Sequence, residues 1–235
     1  ERLEGEGGVA ARMMDMAMAW GYQAKDMGRI GDVMAKGTQL TSMGFLDLAE
    51  SMKYSQDVLK SLNLSFEESV AMIGLLSNAG IKGSMAGTSL NNFYTQFTIA
   101  LTGASKKKNE ALKAMGLTPD DFIKANGDML ELVPTLRKLD AALKPFGGVA
   151  RQGLLNDIFG IRGKRSVNPL LDALAVTRED QAKMQKDKNG NPIMIDPNTG
   201  QKRLGLTIEE LLRRIQGSEG TNEKIFSLYL VRIAG

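Results

Sequence analysis

Ser77-Asn78-Ala79-Gly80-Ile81-Lys82-Gly83-Ser84-Met85-Ala86-Gly87-Thr88-Ser89-Leu90 joins two stretches that otherwise read as helix, and its reading decides the fold. The glycines follow a G-x-x-G-x-x-x-G spacing. Gly80 falls where the first helix has to end, in the left-handed conformation that glycine adopts at little cost. Ser84 offers a side-chain oxygen to cap the helix that follows. Gly87, one turn further on, has no side chain and lets a neighbouring helix come close. The stretch is a tight helix–turn–helix corner and contains no catalytic group.

Working outward from that corner, apolar residues recur at three- and four-residue intervals along most of the chain, the period of amphipathic helix. Towards the N-terminus, Met13, Met16, Trp20, Met27, Ile30 and Met34 mark an a/d seam with Gln23 as its polar member. Such a seam serves either self-pairing in a coiled coil or packing on the chain's own core. Gly21, Gly28 and Gly31 each cost about 1 kcal/mol of helix propensity, which favours the second. A further helix is expected from about Gly44 to Leu62, capped by Thr41 or Ser42.

A short pattern then occurs three times: Leu62-Asn63-Leu64-Ser65-Phe66-Glu67-Glu68, Met115-Gly116-Leu117-Thr118-Pro119-Asp120-Asp121 and Leu204-Gly205-Leu206-Thr207-Ile208-Glu209-Glu210. Each is a helix end, a Gly or Asn in the turn, and a Ser or Thr cap with an acid three residues later. That acid can reach back to the N–H of the cap, and its charge suits a helix N-terminus. Repetition at helix starts makes these acids caps rather than paired catalytic carboxylates.

Beyond the glycine corner a long helix is expected to end near Gly103. Others should cover Ser105 to Met115, Met129 to Leu143, Val149 to Phe159 and Ser166 to Leu174, with Pro145-Phe146-Gly147-Gly148 as a break. Lys106-Lys107-Lys108 at a helix N-terminus opposes the macrodipole and reads as a solvated run. The exception to helix is Asp187 to Arg203, where turn residues twice flank a short apolar run, as in a β-hairpin. Asp187, Asn189 and Asn191 imitate the start of a calcium loop. Pro192 and Asn198 occupy its glycine and glutamate positions, so turn chemistry is the better account.

The fold class expected is therefore all-α, a multi-helix bundle of short amphipathic helices with one small β-hairpin near residues 187–203. The segments are a disordered or tag-like start (1–8), an amphipathic helix region (9–39), a helical core (40–186), the hairpin (187–203) and C-terminal helices (204–235). Without an initiator Met, and with an acidic, glycine-rich start, the chain reads as part of something longer.

Composition narrows the chemistry. Of 235 residues, 43% are apolar and only 6% aromatic, so 14 methionines fill much of the core. The chain has no Cys and no His. Disulfides, thiolate nucleophiles, Cys-ligated zinc and Ser-His-Asp triads are thereby excluded within it. No run of 18 apolar residues exists to cross a membrane as one helix. Glu50-Ser51 is the one pair resembling the Glu-Ser of lytic transglycosylases, and the accompanying Gly-Leu-Met-Gln element is missing. No enzymatic activity, cofactor or metal is expected.

Gly80-Ile81-Lys82-Gly83 and Gly160-Ile161-Arg162-Gly163 form two basic G-x-x-G elements, the second running on into Lys164-Arg165. A nucleic-acid reading would use Lys82, Arg162, Lys164 and Arg165 with the Lys106–Lys108 run. A KH-type clamp needs strands around its loop, a P-loop needs G-x-x-x-x-G-K-[ST], and stacking needs interleaved aromatics. None is present, and the formal net charge is only +3. Helix–helix corners that each expose a cation explain the residues better.

From about Leu40 to Asp172 the chain resembles the tape measure proteins of phage tails. The resemblance lies in Leu59 to Glu68, the corner from Leu75 to Leu90, Ala111 to Leu117, Asn126-Gly127-Asp128-Met129, and Ile158-Phe159-Gly160-Ile161-Arg162-Gly163 with Leu170-Leu171. The hairpin is not part of it. The resemblance implies a virion component, a long helical protein threaded through the tail tube during assembly, whose length sets tail length at ~1.5 Å per helical residue. This chain would be a compact module within it. Gly80, Gly83, Gly87, Phe159 and Gly160 carry over as fold determinants, and no catalytic residue does. Implied partners are tail tube, chaperone or tip proteins, further copies of itself, and host envelope proteins during infection, with no specific nucleic acid. The implied location is the virion tail, after synthesis in the bacterial host cytoplasm from a phage or prophage. The competing function is a nucleic-acid-binding helical domain.

Overall fold

The computed structural model describes residues 12, 14–175, 184–186, 192–195, 202–204 and 206–218. The expected periodicity appears as helix almost throughout. Residues 14–19 are helical, and the chain turns at Trp20 and Gly21. Eight further helices follow among the described residues. They are α1 (Met27–Leu40), α2 (Phe45–Ser61), α3 (Phe66–Asn78), α4 (Gly83–Leu101), α5 (Lys106–Ala114), α6 (Leu132–Leu143), α7 (Gly148–Ala175) and α8 (Ile208–Gln216). The all-α reading therefore holds.

α4 occupies the centre, packed along α2 on one side and α7 on the other. Its Phe93, Tyr94 and Phe97 are buried. Phe93 stacks on Phe159 of α7 at 4.8 Å, and Phe97 meets Phe122 edge-on at 4.9 Å. Such pairs add about 0.5–1.5 kcal/mol beyond area burial. Met34, Met52 and Met72 are fully buried between the helices. The Tyr94 hydroxyl donates to the Met72 sulfur at 3.2 Å, so the one polar atom of that ring has a partner inside the core. α8 lays Ile208, Leu211, Leu212 and Ile215 against α1 and α3.

Among the described residues, strand is confined to a small antiparallel sheet. β2 (Pro192–Ile195) pairs with β3 (Lys202–Leu204) in the register Ile193↔Leu204 and Ile195↔Lys202, which is the expected hairpin. A third strand, β1 (Gln185–Lys186), adds to the other edge of β2. Its two residues have no alternation to announce it, because backbone pairing alone recruits them. The Asp187, Asn189 and Asn191 turn, the glycine-rich start at residues 1–8, and Met13 lie outside the described residues.

Helix ends explain the threefold pattern in more detail than spacing could. After α2, Leu64 N–H donates to Leu59 C=O at 3.1 Å and Asn63 N–H to Lys60 C=O at 3.0 Å. After α5, Leu117 N–H donates to Leu112 C=O and Gly116 N–H to Lys113 C=O. Both are Schellman ends, with Asn63 (φ 55°) and Gly116 (φ 71°) in the left-handed position. The caps that follow differ. At α3 the reciprocal box forms, with Ser65 Oγ accepting Glu68 N–H and the Glu68 carboxylate accepting Ser65 N–H, both at 3.1 Å. At Thr118 the Asp121 carboxylate accepts the backbone N–H at 2.8 Å, but the element it opens is a four-residue 3₁₀ turn, Pro119–Phe122, and not a full helix. Those donors, Thr118 first, hold the Asp121 carboxyl below its usual range. At α8 Thr207 accepts Glu210 N–H at 3.1 Å, while Glu210 turns away to Arg213 and Arg214 instead of reaching back.

Other expectations are corrected. The N-terminal seam is not one continuous helix. Gly21 turns the chain at φ 85°, a 3₁₀ turn spans Ala24–Asp26, and Met16, Trp20, Ile30 and Met34 are buried in the chain's own core. α2 is capped by Gly44, whose N–H donates to Asp47 at 3.1 Å; Thr41 instead folds its hydroxyl back onto Gly37 C=O at the end of α1. Ser84 does not cap α4, because the helix already starts at Gly83 with Lys82 as its N-cap residue.

Candidate functional site

The glycine corner is a third Schellman end. Ile81 N–H donates to Leu76 C=O at 2.9 Å and Gly80 N–H to Ser77 C=O at 3.0 Å, with Gly80 at φ 80°. The turn delivers α4 directly onto α2. A Cβ on Gly87 would lie 2.2 Å from Ser51 C=O and 2.9 Å from Tyr54 Cβ. Gly87 thus lies against the Ser51 backbone and Tyr54, and Gly83 beside Asp47 and Glu50. The Ser51 hydroxyl lies 2.8 Å from Gly83 C=O across the contact and 2.7 Å from Asp47 C=O within α2. Lys82 spends its ammonium on Ser42 C=O at 2.7 Å, 4.0 Å from Asp47. It clamps the corner to the start of α2 and is not a free surface cation.

The second basic G-x-x-G is a corner between two helical stretches. It lies within α7, which runs on either side of Gly160 at φ 67° and ψ 176°, a region open essentially to glycine alone. The residue before it, Phe159, is buried against Phe93 and Phe97. Gly163 then touches α4, where a Cβ would be 3.1 Å from Phe93 Cα and 3.2 Å from Phe93 N. Lys108 of α5 donates to Ile158 C=O, one of the carbonyls released by the kink. The Lys106–Lys108 run is therefore not uniformly solvated. Lys106 is exposed beside Glu110, Lys107 pairs with Asp157 at 2.8 Å, and Lys108 is buried. Burial pulls the Lys108 ammonium below its ordinary range, and Lys107 adds to that shift.

The second basic element meets the first turns of α4. Arg162 and Arg165 of α7 and Ser84, Met85, Thr88 and Ser89 of α4 line a cleft of about 190 Å³. Lys82 and Lys164 are not among its lining residues. A second, open cleft of about 340 Å³ lies between residues 12–16 and α2, with Arg12, Asp15, Glu50 and Lys53 of mixed sign on its walls. Among the described residues no group of three or more Asp or Glu could hold a metal ion, and no helix is long and apolar enough to cross a membrane.

Sequence reasoning missed Gly163, Gly37 and Gly74, each in close contact with a neighbour. A Cβ on Gly37 would lie 2.4 Å from Val70, and one on Gly74 2.7 Å from Thr41. It also missed the reach of Glu68, which accepts Leu132 N–H at 3.1 Å and so caps α6 as well as α3. The glycine spacing was the available signal for Gly163; nothing local could reveal Glu68's second helix.

The geometry defines a helical bundle with close glycine contacts between α2, α4 and α7 and with many of its acids in caps and ion pairs. The chain belongs to the family of phage-related minor tail proteins, whose model matches residues 5–160. It is 29% identical over 222 residues to the tape measure protein of Pneumococcus phage Dp-1, covering 93% of this chain and 18% of that one. It is 28% identical over 174 residues to a probable tape measure protein of Escherichia phage P2, covering 73% of this chain and 20% of that one. The chain thus spans no more than a fifth of the length of these relatives. No solved structure matches it.

Proposed function

We propose that the chain is a compact helical module of a phage or prophage tail tape measure protein, acting in tail assembly and in setting tail length. The observation that supports this is the match to a tape measure protein over 93% of the chain. The module has no catalytic part in this reading. A globular bundle adds little to a ruler, since only extended helix advances ~1.5 Å per residue. It acts as an interaction domain carried by that ruler, in the virion tail, with tail tube, chaperone or tip proteins as partners. The nucleic-acid alternative gains no support, because Lys82, Lys107 and Lys108 are engaged within the fold.

The test is made in the phage itself. Duplicating a helical segment of the full-length protein outside this module should lengthen tails, seen by electron microscopy, by ~1.5 Å for each added residue. Duplicating the module should leave tail length nearly unchanged. Tails of wild-type length after the first change would refute the length role. Purified tails lacking peptides from this chain would refute the location.

A further inference from the structure

Several surface cations on this module are matched by carboxylates: Arg29 by Glu67, Lys124 by Glu131, Arg137 by Glu209, Lys138 by Asp121 and Arg151 by Asp140. Arg162 and Arg165 are two that are not, and they share one cleft. Both are exposed and neither forms an ion pair with a described residue. They stand three apart on one face of α7, where like charges disfavour each other by a few tenths of a kcal/mol. They line the same cleft, whose opposite wall supplies the hydroxyls of Ser84 and Thr88. Met85, which lines the cleft, is 50% exposed, and Ile161, next to Arg162 in the chain, is 71% exposed.

We propose that this cleft docks an acidic, amphipathic segment of a partner protein. A carboxylate of the partner sits between the two guanidinium groups, with Ser84 and Thr88 as further donors, and apolar residues of the same segment cover Met85 and Ile161. Arginine suits this role because its planar fork takes a carboxylate by two parallel hydrogen bonds. Charge complementarity sets register and encounter rate, while the apolar contacts supply burial. A polyanion such as nucleic acid would instead reward a continuous track of cations. Here Lys164, between the two arginines in the chain, does not line the cleft, Lys82 at the other corner is held by Ser42 and Asp47, and exposed Met85 offers phosphates nothing. The site stands on its own geometry and holds whether or not the full-length protein sets tail length.

The experiment titrates the 235-residue protein against a fluorescent synthetic helix with leucines on one face and glutamates on the other. A matched helix carries glutamine at every glutamate position. The acidic helix should bind at least ~10-fold more tightly than the neutral one, equivalent to about 1.4 kcal/mol. The double variant Arg162→Glu/Arg165→Glu should lose that preference, and Ile161→Ser should weaken binding of both helices. Arg137→Glu, far along the chain, should keep it. Should the charge reversal unfold the protein by circular dichroism, Arg162→Gln/Arg165→Gln takes its place. Equal binding of the two helices, no saturable binding at millimolar peptide, or a preference surviving in the arginine variants would each overturn the proposal. So would tighter, arginine-dependent binding of a single-stranded oligonucleotide of equal charge, which would assign the cleft to phosphates.

Discussion

Gly87→Ala adds a single methyl group at the point where α4 crosses α2, and the outcome follows from what that methyl meets. Its carbon would lie 2.2 Å from Ser51 C=O, 2.9 Å from Ser51 C and 2.9 Å from Tyr54 Cβ. Two of these atoms are backbone, so no rotamer change relieves the clash; the helices have to separate by more than 1 Å. Separation would stretch the 2.8 Å contact from the Ser51 hydroxyl to Gly83 C=O. Overpacking of this kind costs about 1–3 kcal/mol, and a weakened buried hydrogen bond about 1 more. The gain in helix propensity from glycine to alanine, about 1 kcal/mol, offsets part of it. The net expectation is a loss of about 2 kcal/mol, or about 4–8 °C in Tm for a chain of this size. Gly87→Val should cost more. The control is Gly153→Ala on α7, where the new methyl meets nothing within 4 Å and should stabilise by up to about 1 kcal/mol. Thermal melts followed by circular dichroism at 222 nm measure both. If Gly87→Ala melted at or above the wild-type temperature, close packing of α2 on α4 would be wrong.

Glu68→Ala removes the caps of α3 and α6 together and should destabilise by about 2 kcal/mol in urea titrations, twice the effect of Ser65→Ala, which touches one helix. Gly160→Ala should cost about 1–3 kcal/mol from backbone strain alone, since nothing crowds its side chain; an unchanged Tm would mean that α7 straightens there freely. Glu210 is held at about 2, against an ordinary 4.5, first by Arg213 and then by Arg214. Folding favours its charged form, so its contribution is complete above about pH 4.5 and fades as pH falls towards 2. Screened by solvent, that contribution is about 1 kcal/mol, and Glu210→Gln should flatten this part of the stability profile measured between pH 6 and 2.5.

The helices, their ends and the hairpin were legible in the sequence because each depends on short-range physics. A 3.6-residue period, a Gly or Asn at a left-handed turn, and a Ser or Thr with an acid three residues on are all local facts. Gly80 and the Ser65–Glu68 box belong to this class. Where the reading failed, a neighbour distant in sequence intervened. Lys108 looked like one of three solvated lysines, yet the kink at Gly160 exposes Ile158 C=O beside it. Gly160 to Gly163 reads as a helix–helix corner, and the chain does leave helical geometry at Gly160, yet the packing of Gly163 against Phe93 was not legible. Ser84 looked like a cap, yet contact with α2 sets where α4 begins.

The candidate site divides in the same way. By itself the sequence determined that two basic G-x-x-G elements exist, that neither has the context of a phosphate-binding loop, and that His and Cys chemistry is absent. It could not determine that Arg162 and Arg165 share a cleft with Ser84 and Thr88 while Lys82 is held at the surface by Ser42 C=O. Residue spacing fixes which side chains share a face of one helix. Which faces meet depends on packing between elements some eighty residues apart, and that was decided only when α4 settled between α2 and α7.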